Sequence, residues 1–329
     1  MWDRRHSGSR SSRCEWRERE PDLGSGRNYN KEVMPLPLAR NATTDERGRR
    51  CVTDVEVPVL LRWWHLASLD APTVAVLWSL SFARIAGVDL PLWVPVLVAL
   101  GTLCVYVGDR ILDAWRALRS GKLEALRERH FFHWRHRRVL IPLSACAALV
   151  AAAIIVGQMP ATVREHDSVL ALAALAYFSG VHAPGARKPK WLSRLQSKEL
   201  AVGVLFTAGC ALPTLTRLHA VPGSRVSAIL LAMGFYAALA WLNCAAIDRW
   251  ESGDSSKIAL SAMLIAAGAI SFAVVYTWFD PRLSPLCAAC AGSALLLAWL
   301  DWQRGRLTPL ALRCAADLVL LTPIVCWTR

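Results

Sequence analysis

The sequence predicts an all-α, polytopic membrane protein in which nine transmembrane helices follow a disordered N-terminal tail. Of its 329 residues, 54% are hydrophobic and 19% are charged, against about 25% charged in a typical soluble domain. Apolar runs long enough to cross a bilayer alternate with short polar breaks, and many of the 15 Trp residues lie at the ends of those runs, as in an interfacial aromatic belt. This composition excludes a disordered, fibrous or disulfide-framework protein.

The N-terminal segment differs in composition from the rest of the chain. Residues 1–50 hold 12 Lys or Arg and 8 Asp or Glu, which is 20 of the 63 charged residues. A segment this polar buries too little apolar surface to offset the entropy lost on ordering it. We therefore expect a disordered basic tail over residues 1–60 and a nine-helix transmembrane domain over residues 61–329.

Nine apolar segments are predicted to cross the membrane. A hydrocarbon core about 30 Å thick needs about 20 residues of α-helix, and Pro, Gly and Asp residues mark the breaks between the segments. The nine segments lie near residues 66–87, 90–112, 139–158, 168–183, 199–216, 225–247, 257–279, 284–301 and 308–327.

The basic residues of the loops predict the orientation of these segments. Loops after the second, fourth, sixth and eighth segments hold 18 Lys or Arg, whereas loops after the first, third, fifth and seventh hold four. By the positive-inside rule the N-terminus is cytoplasmic and the C-terminus lies outside. We expect an integral protein of a bacterial inner (plasma) membrane, in contact with membrane lipids. The net charge of +13 does not indicate nucleic-acid binding, because the basic residues punctuate apolar runs and form no single stripe.

A first acidic pair lies at the cytoplasmic end of the second segment. Asp109 and Asp113 are four residues apart, so both carboxylates share one helix face. Two carboxylates this close repel each other unless a cation or a proton lies between them, and carboxylate oxygens suit Mg²⁺. The alternative is a helix end whose charges are solvated and paired with Arg110 or Arg116.

A second acidic pair ends the sixth segment. Asp248 and Glu251 are three residues apart and share a face, while Asn243 lies more than one turn deeper in an apolar run. Polar side chains at such depth usually face the interior of a bundle, either as a wall of a binding site or in an interhelical hydrogen bond. If the two pairs face each other, they would hold two Mg²⁺ ions on a diphosphate, the leaving group of an allylic substrate.

These motifs resemble those of the UbiA-type intramembrane prenyltransferase superfamily. That family has nine transmembrane helices, a cytoplasmic-side active site and two Asp-rich motifs ending helices 2 and 6, commonly NxxxDxxxD and DxxxD-like. Asp109 and Asp113 match the two Asp positions of the first motif, but Val105 stands at its Asn position. In the second motif Asp248 matches, and Glu251 stands in for a later acidic residue.

The resemblance extends to basic residues near the second motif and in the loop after the fourth segment. Asp248-Arg249, followed by Ser256-Lys257-Ile258, is similar to the family pattern VDR…VKIG. Arg187, Lys188, Lys190 and Lys198 precede Gly203, Phe206 and Gly209, which is similar to the cationic loop ahead of a Gly/Phe-rich helix in the family.

The resemblance implies an enzyme that transfers a prenyl group from a polyprenyl diphosphate to an aromatic or lipid-like acceptor, with Mg²⁺ as cofactor. The alternative is a non-catalytic, lipid-binding or transporter protein on a similar helical frame. The implied catalytic residues are Asp109, Asp113 and Asp248, and the implied metal ligands are these three and Glu251. The implied substrate-binding residues are Arg110, Arg187, Lys188, Lys198, Asn243, Arg249 and Lys257.

Two further patterns give expectations about contacts. Residues 129–138 carry His130, His133 and His136 at a helical spacing, which suits either a metal site or an amphipathic helix whose His and Arg residues meet anionic lipid. Arg313 and Asp317 are four residues apart in the ninth segment, and we expect them to pair with each other.

Overall fold

The computed structural model describes residues 57–121, 126–182, 198–218, 221–252 and 258–327. The predicted disordered tail lies almost entirely outside these ranges. Its predicted boundary at residue 60 falls inside the first helix, which begins at Val59.

Every regular element of the described residues is helical, in agreement with the predicted all-α class. The α-helices are α1 (Val59–Leu66), α2 (Asp70–Ala86), α3 (Trp93–Ser120), α4 (Glu128–Arg135), α5 (Arg137–Gln158), α6 (Ala161–His182), α7 (Lys198–Leu215), α8 (Gly223–Ser252), α9 (Ile258–Thr277), α10 (Leu283–Gln303) and α11 (Pro309–Val319), with 3₁₀ turns at Arg304–Arg306 and Thr322–Trp327.

Each of the nine predicted apolar segments overlaps a helix of the described residues, but nine spans are not confirmed. Five described helices are long and apolar enough to cross a membrane, namely α3, α5, α8, α9 and α10, or six if α1 and α2 together form one span bent by 84°. The ninth segment is not one continuous helix. It comprises α11, which has 11 residues, and a 3₁₀ turn that contains Pro323, a residue that lacks the backbone N–H an α-helix would use at that position.

Helices α3 and α5 expose large apolar surfaces, and contact of such surfaces with water is unfavourable. Only 11% of the most apolar stretch of each is buried, against 56% in α8 and α10. Large side chains such as Val139, Leu149 and Val156 on α5 are more than two-thirds exposed. Apolar helices with an exposed apolar surface belong in lipid, so the chain has the character of a helical membrane protein.

The packed core lies where α2, α8 and α10 meet. Trp78 of α2 is fully buried, and its ring stacks on Tyr236 of α8 with centroids 3.9 Å apart. The Nε1–H of Trp78 donates to the carbonyl oxygen of Leu320, at 2.8 Å. The indole therefore fills the core and also ties α2 to the C-terminal segment after α11.

Helices α7 and α8 approach closely at a glycine. A Cβ atom added to Gly203 would lie 2.7 Å from the backbone nitrogen of Trp241 and 3.0 Å from its Cα. Backbone atoms cannot move aside as a flexible side chain would. Small residues allow this kind of close helix packing in membranes, and Gly203 therefore sets the distance between the two helices.

We expect Gly203→Ala to lower the free energy of unfolding by about 1–2 kcal/mol, because the added methyl group forces α7 away from α8. The measurement is denaturant unfolding in detergent, followed by Trp fluorescence. Gly209→Ala on the same helix is the matched control, since its Cβ would have no neighbour within 4 Å among the described residues. Equal stability of the two variants would contradict this account of the helix contact.

Candidate functional site

The first acidic pair lies inside α3, two turns before its end. The predicted segment ends at residue 112, but α3 continues to Ser120 and stops at Gly121, whose φ of 70° closes the helix in the left-handed conformation. Asp109 accepts a hydrogen bond from Nη1 of Arg110, at 3.2 Å. Asp113 is partly exposed, with a side-chain exposure of 32%.

The histidine-rich segment forms α4 and the start of α5. His130, Phe132 and His133 are buried, and Phe132 packs edge-on against Trp63 of α1 with ring centroids 5.5 Å apart. The expectation of contact with anionic lipid is therefore wrong for His130 and His133, which face the protein interior. Aromatic packing between α1 and α4 turns that helix face into the protein.

His130 connects α4 with the first acidic pair. Its Nδ1 accepts a hydrogen bond from the backbone N–H of Arg127, at 3.0 Å, which leaves the ring proton on Nε2, 3.8 Å from Oδ2 of Asp113. Burial, together with the charges of Arg110 and Arg129, lowers the pKa of His130 to about 2. The imidazole is therefore neutral, and its contact with Asp113 is no ion pair.

The second acidic pair lies in the last turns of α8, where its two members have different surroundings. Glu251 is paired with Arg313 of α11 and with Arg127, whose Nε donates to Oε2 at 3.3 Å. Asp248 is exposed. The predicted pairing of Arg313 with Asp317 is thus wrong, because Arg313 reaches across to α8 and forms an interhelical pair.

Both acidic pairs touch the N-terminus of α4. Arg127 is the N-cap residue of that helix and His130 is its third residue, and a reciprocal capping box joins them. Arg127 contacts Glu251, and His130 faces Asp113. One turn of α4 therefore contacts one member of each acidic pair.

Several buried guanidinium groups around these contacts have an N–H without a hydrogen-bond acceptor among the described residues. These atoms are Nε of Arg110, Nε of Arg129, Nη1 of Arg249 and Nη1 of Arg313. A buried donor left unsatisfied costs about 1–3 kcal/mol, and a phosphate oxygen is the acceptor that guanidinium groups bind best. Arg110 and Arg249 are predicted substrate-binding residues. Arg129 and Arg313 are not, because their sequence surroundings indicate an interfacial helix and an intrahelical pair.

Asn243 lies in α8 and is 6% exposed, and its Oδ1 has no hydrogen-bond partner among the described residues. The interhelical hydrogen bond offered as one interpretation of Asn243 is therefore not made by this oxygen.

The remaining predicted substrate contacts, Arg187, Lys188 and Lys257, lie outside the described residues. Lys198 is the first residue of α7, and its side chain is likewise outside them.

A buried network that the sequence does not reveal joins α1, α2 and α11. Nδ1 of His65 lies 2.8 Å from Oδ2 of Asp70 and 3.0 Å from Oδ2 of Asp317. No sequence pattern could have found this network, since Asp317 is 252 residues from His65.

Both ring nitrogens of His133 make hydrogen bonds. Its Nδ1–H donates to the carbonyl oxygen of Arg129 at 2.8 Å, and its Nε2 accepts from the hydroxyl of Ser68 at 3.3 Å. Ser68 has a φ of 56°, a backbone conformation uncommon for a residue other than glycine, at the bend between α1 and α2. Burial lowers the pKa of His133 to about 4, and the charge of Arg110 contributes to the lowering.

No protein family, curated protein or solved structure gives a significant match to this chain. Its functional assignment therefore rests on its own residues and on their contacts.

Proposed function

We propose that this protein is a membrane enzyme that transfers a prenyl group from a polyprenyl diphosphate to an aromatic or lipid-like acceptor, with Mg²⁺ as cofactor. The observation that carries the proposal is the double contact of α4, with Asp113 through His130 and with Glu251 through Arg127. This contact supports a single site to which both acidic pairs contribute.

The donor atoms fit Mg²⁺ in part. Asp109 and Asp113 share a face of α3 and offer carboxylate oxygens, the ligands that Mg²⁺ prefers, and the exposed Asp248 would supply a third carboxylate. Glu251 already has two arginine partners, so it would bind a metal only after leaving one of them. Bound there, Mg²⁺ would neutralise the charge of the diphosphate leaving group.

Arginine side chains would bind the diphosphate group of the substrate. The unsatisfied N–H groups of Arg110, Arg129, Arg249 and Arg313 would donate to diphosphate oxygens. As the bond between C1 of the prenyl group and oxygen breaks, the diphosphate leaves with the electron pair, and these donors stabilise its growing negative charge. The acceptor's nucleophilic atom then bonds to C1 and loses a proton.

The helical frame suits a lipid substrate. We propose that the nine apolar segments cross the membrane with both acidic pairs on the cytoplasmic side, as the loop charges favour. Lipid-facing helices such as α3 and α5 would let a prenyl tail enter from the bilayer, and the buried apolar side chains would keep water from the reacting carbon.

The test is transfer of radiolabel by the purified protein in lipid nanodiscs. Wild-type protein with Mg²⁺, a labelled C10 to C50 prenyl diphosphate and an extract of membrane lipids and quinone precursors should form labelled product. We expect Asp109→Asn and Asp248→Asn each to reduce the rate by at least about 100-fold, a loss typical of removing one transition-state contact. Chelation of Mg²⁺ should abolish the reaction.

The matched control is Asp280→Asn, which removes a carboxylate that pairs with Arg225 at 2.7 Å away from both acidic pairs. This variant should retain wild-type activity. If the wild-type protein neither transfers nor hydrolyses any chain length, or if both acidic variants keep full activity, the proposal is wrong.

One observation favours a non-catalytic, lipid-binding or transport protein as the second candidate. Glu251 is neutralised by Arg127 and Arg313, and Asp109 by Arg110, as in structural ion pairs. Binding of labelled prenyl diphosphate without Mg²⁺ and without turnover would support this candidate.

A further inference from the structure

We infer that His65, Asp70 and Asp317 form a binding site for one divalent transition-metal cation, separate from the acidic pairs of α3 and α8. One imidazole nitrogen and two carboxylate oxygens lie within 4.8 Å of one another. The site does not depend on prenyl transfer, since none of its three ligands belongs to the proposed catalytic residues.

The distances between the donor atoms suit a metal ion. Nδ1 of His65 is 2.8 Å from an oxygen of Asp70 and 3.0 Å from an oxygen of Asp317. Ligands bound at about 2.1 Å and at right angles to one another are separated by about 3.0 Å, as on adjacent corners of an octahedron. A metal ion would therefore replace the proton on Nδ1 with only small movements of the three side chains.

Burial and charge favour the same conclusion. His65 is 4% and Asp70 is 9% exposed, and the side chain of Asp317 is 17% exposed. Two carboxylates in such a place need compensation, and a protonated imidazole supplies only one positive charge. A divalent cation supplies two, and a neutral His65 would then be its third ligand.

The ligands are held by rigid neighbours. Oδ1 of Asp70 accepts a hydrogen bond from the backbone N–H of Ala71 at 2.9 Å, so Oδ2 is the oxygen directed toward His65. The bend at Ser68, where the backbone N–H of Ser68 donates to the carbonyl oxygen of His65 at 3.1 Å, keeps His65 facing the start of α2. Such outer contacts orient metal ligands and raise affinity.

The donor set selects the class of metal. Imidazole suits Zn²⁺, Fe²⁺, Ni²⁺ and Cu²⁺, whereas Mg²⁺ prefers oxygen ligands. We therefore expect this site to take a transition-metal ion and to discriminate against Mg²⁺, in contrast to the carboxylate pair of Asp109 and Asp113.

The test is metal binding by the full-length protein in detergent, without any activity measurement. In a tenfold excess of Mg²⁺, which fills the carboxylate pairs, chelator-treated wild-type protein should bind one equivalent of Co²⁺ with a visible absorption band that Zn²⁺ removes. Asp317→Asn, which keeps the size of the side chain, should weaken Co²⁺ binding at least about tenfold, and so should His65→Gln.

Two matched controls separate this site from the rest of the protein. Asp301→Asn changes a part-buried carboxylate that accepts from Trp250, and Asp109→Asn changes the proposed catalytic pair. Both should keep the Co²⁺ band. The thermal unfolding midpoint of each variant shows that it is folded, and Asp317→Asn decides the question if His65→Gln does not fold. Absence of Co²⁺ binding by the wild-type protein, or equal binding by folded Asp317→Asn, would overturn the inference and leave a buried ion network.

Discussion

Arg313→Met is expected to lower the free energy of unfolding by about 3 kcal/mol. The Arg313 side chain is 8% exposed and pairs with Glu251, so the substitution leaves a largely buried carboxylate with one cation fewer. Breaking such a pair on one side costs about 3–5 kcal/mol. The lower end applies because Glu251 keeps its contact with Arg127. Denaturant titration in detergent, followed by Trp fluorescence, measures the loss.

A second variant distinguishes the broken pair from a general packing defect. The double substitution Glu251→Gln and Arg313→Met removes both charges, so it should recover more than half of the lost free energy. Arg304→Met breaks the more exposed pair with Asp301 and should cost at most about 1 kcal/mol. If the double variant is as unstable as Arg313→Met alone, the uncompensated charge of Glu251 is not the cause.

The second large effect is a loss of stability in mild acid through His133. The unfolded chain binds a proton at its ordinary pKa of 6.5, whereas in the folded protein the pKa of His133 is lowered to about 4. The contribution of His133 to the free energy of unfolding is therefore complete above pH 6.5 and is lost as the pH falls toward 4. The slope is about 1.4 kcal/mol per pH unit for one proton, which gives a loss of about 2 kcal/mol at pH 5.

The contribution of His133 to this loss of stability is measured as the difference between the pH profiles of the wild type and of His133→Gln. His133→Gln removes the titrating group, so its free energy of unfolding should fall about 2 kcal/mol less than that of the wild type between pH 7 and pH 5. Ser68→Gly is the matched control, because it removes the hydroxyl contact of His133 but leaves the buried imidazole, and it should keep the wild-type slope. Parallel profiles for the wild type and His133→Gln would mean that His133 is already protonated in the folded protein.

Local pattern was enough to predict the helices but not every boundary. All nine apolar segments overlap helices, because the length of an apolar run and its flanking Gly and Pro residues are local properties. The second segment was predicted to end at residue 112, since charged residues follow it, yet α3 continues through them to Gly121. Charged residues do not stop a helix that another helix covers, as α4 covers this one.

The sequence predicts only those features of the candidate site that lie within a single helix. Asp109 with Asp113, and Asp248 with Glu251, were recognisable because each pair recurs at a helical spacing on one face. The partners of these residues were not recognisable. Arg313 was expected to pair with Asp317 four residues away, but it pairs with Glu251, because a long guanidinium side chain reaches a neighbouring helix as easily as its own next turn.

The sequence by itself determined that this protein is helical, that it is apolar enough to enter a membrane and that it carries two acidic pairs. These properties depend on the periodicity of apolar residues, the length of apolar runs and the spacing of charges, which are all local features of the chain. Only the tertiary structure decided which of these residues meet. It brought one turn of α4 into contact with a member of each acidic pair, and it brought Asp317 to His65 across 252 residues. Side chains that distant in sequence become neighbours only through the packing of α1, α2 and α11, and no local rule contains that information.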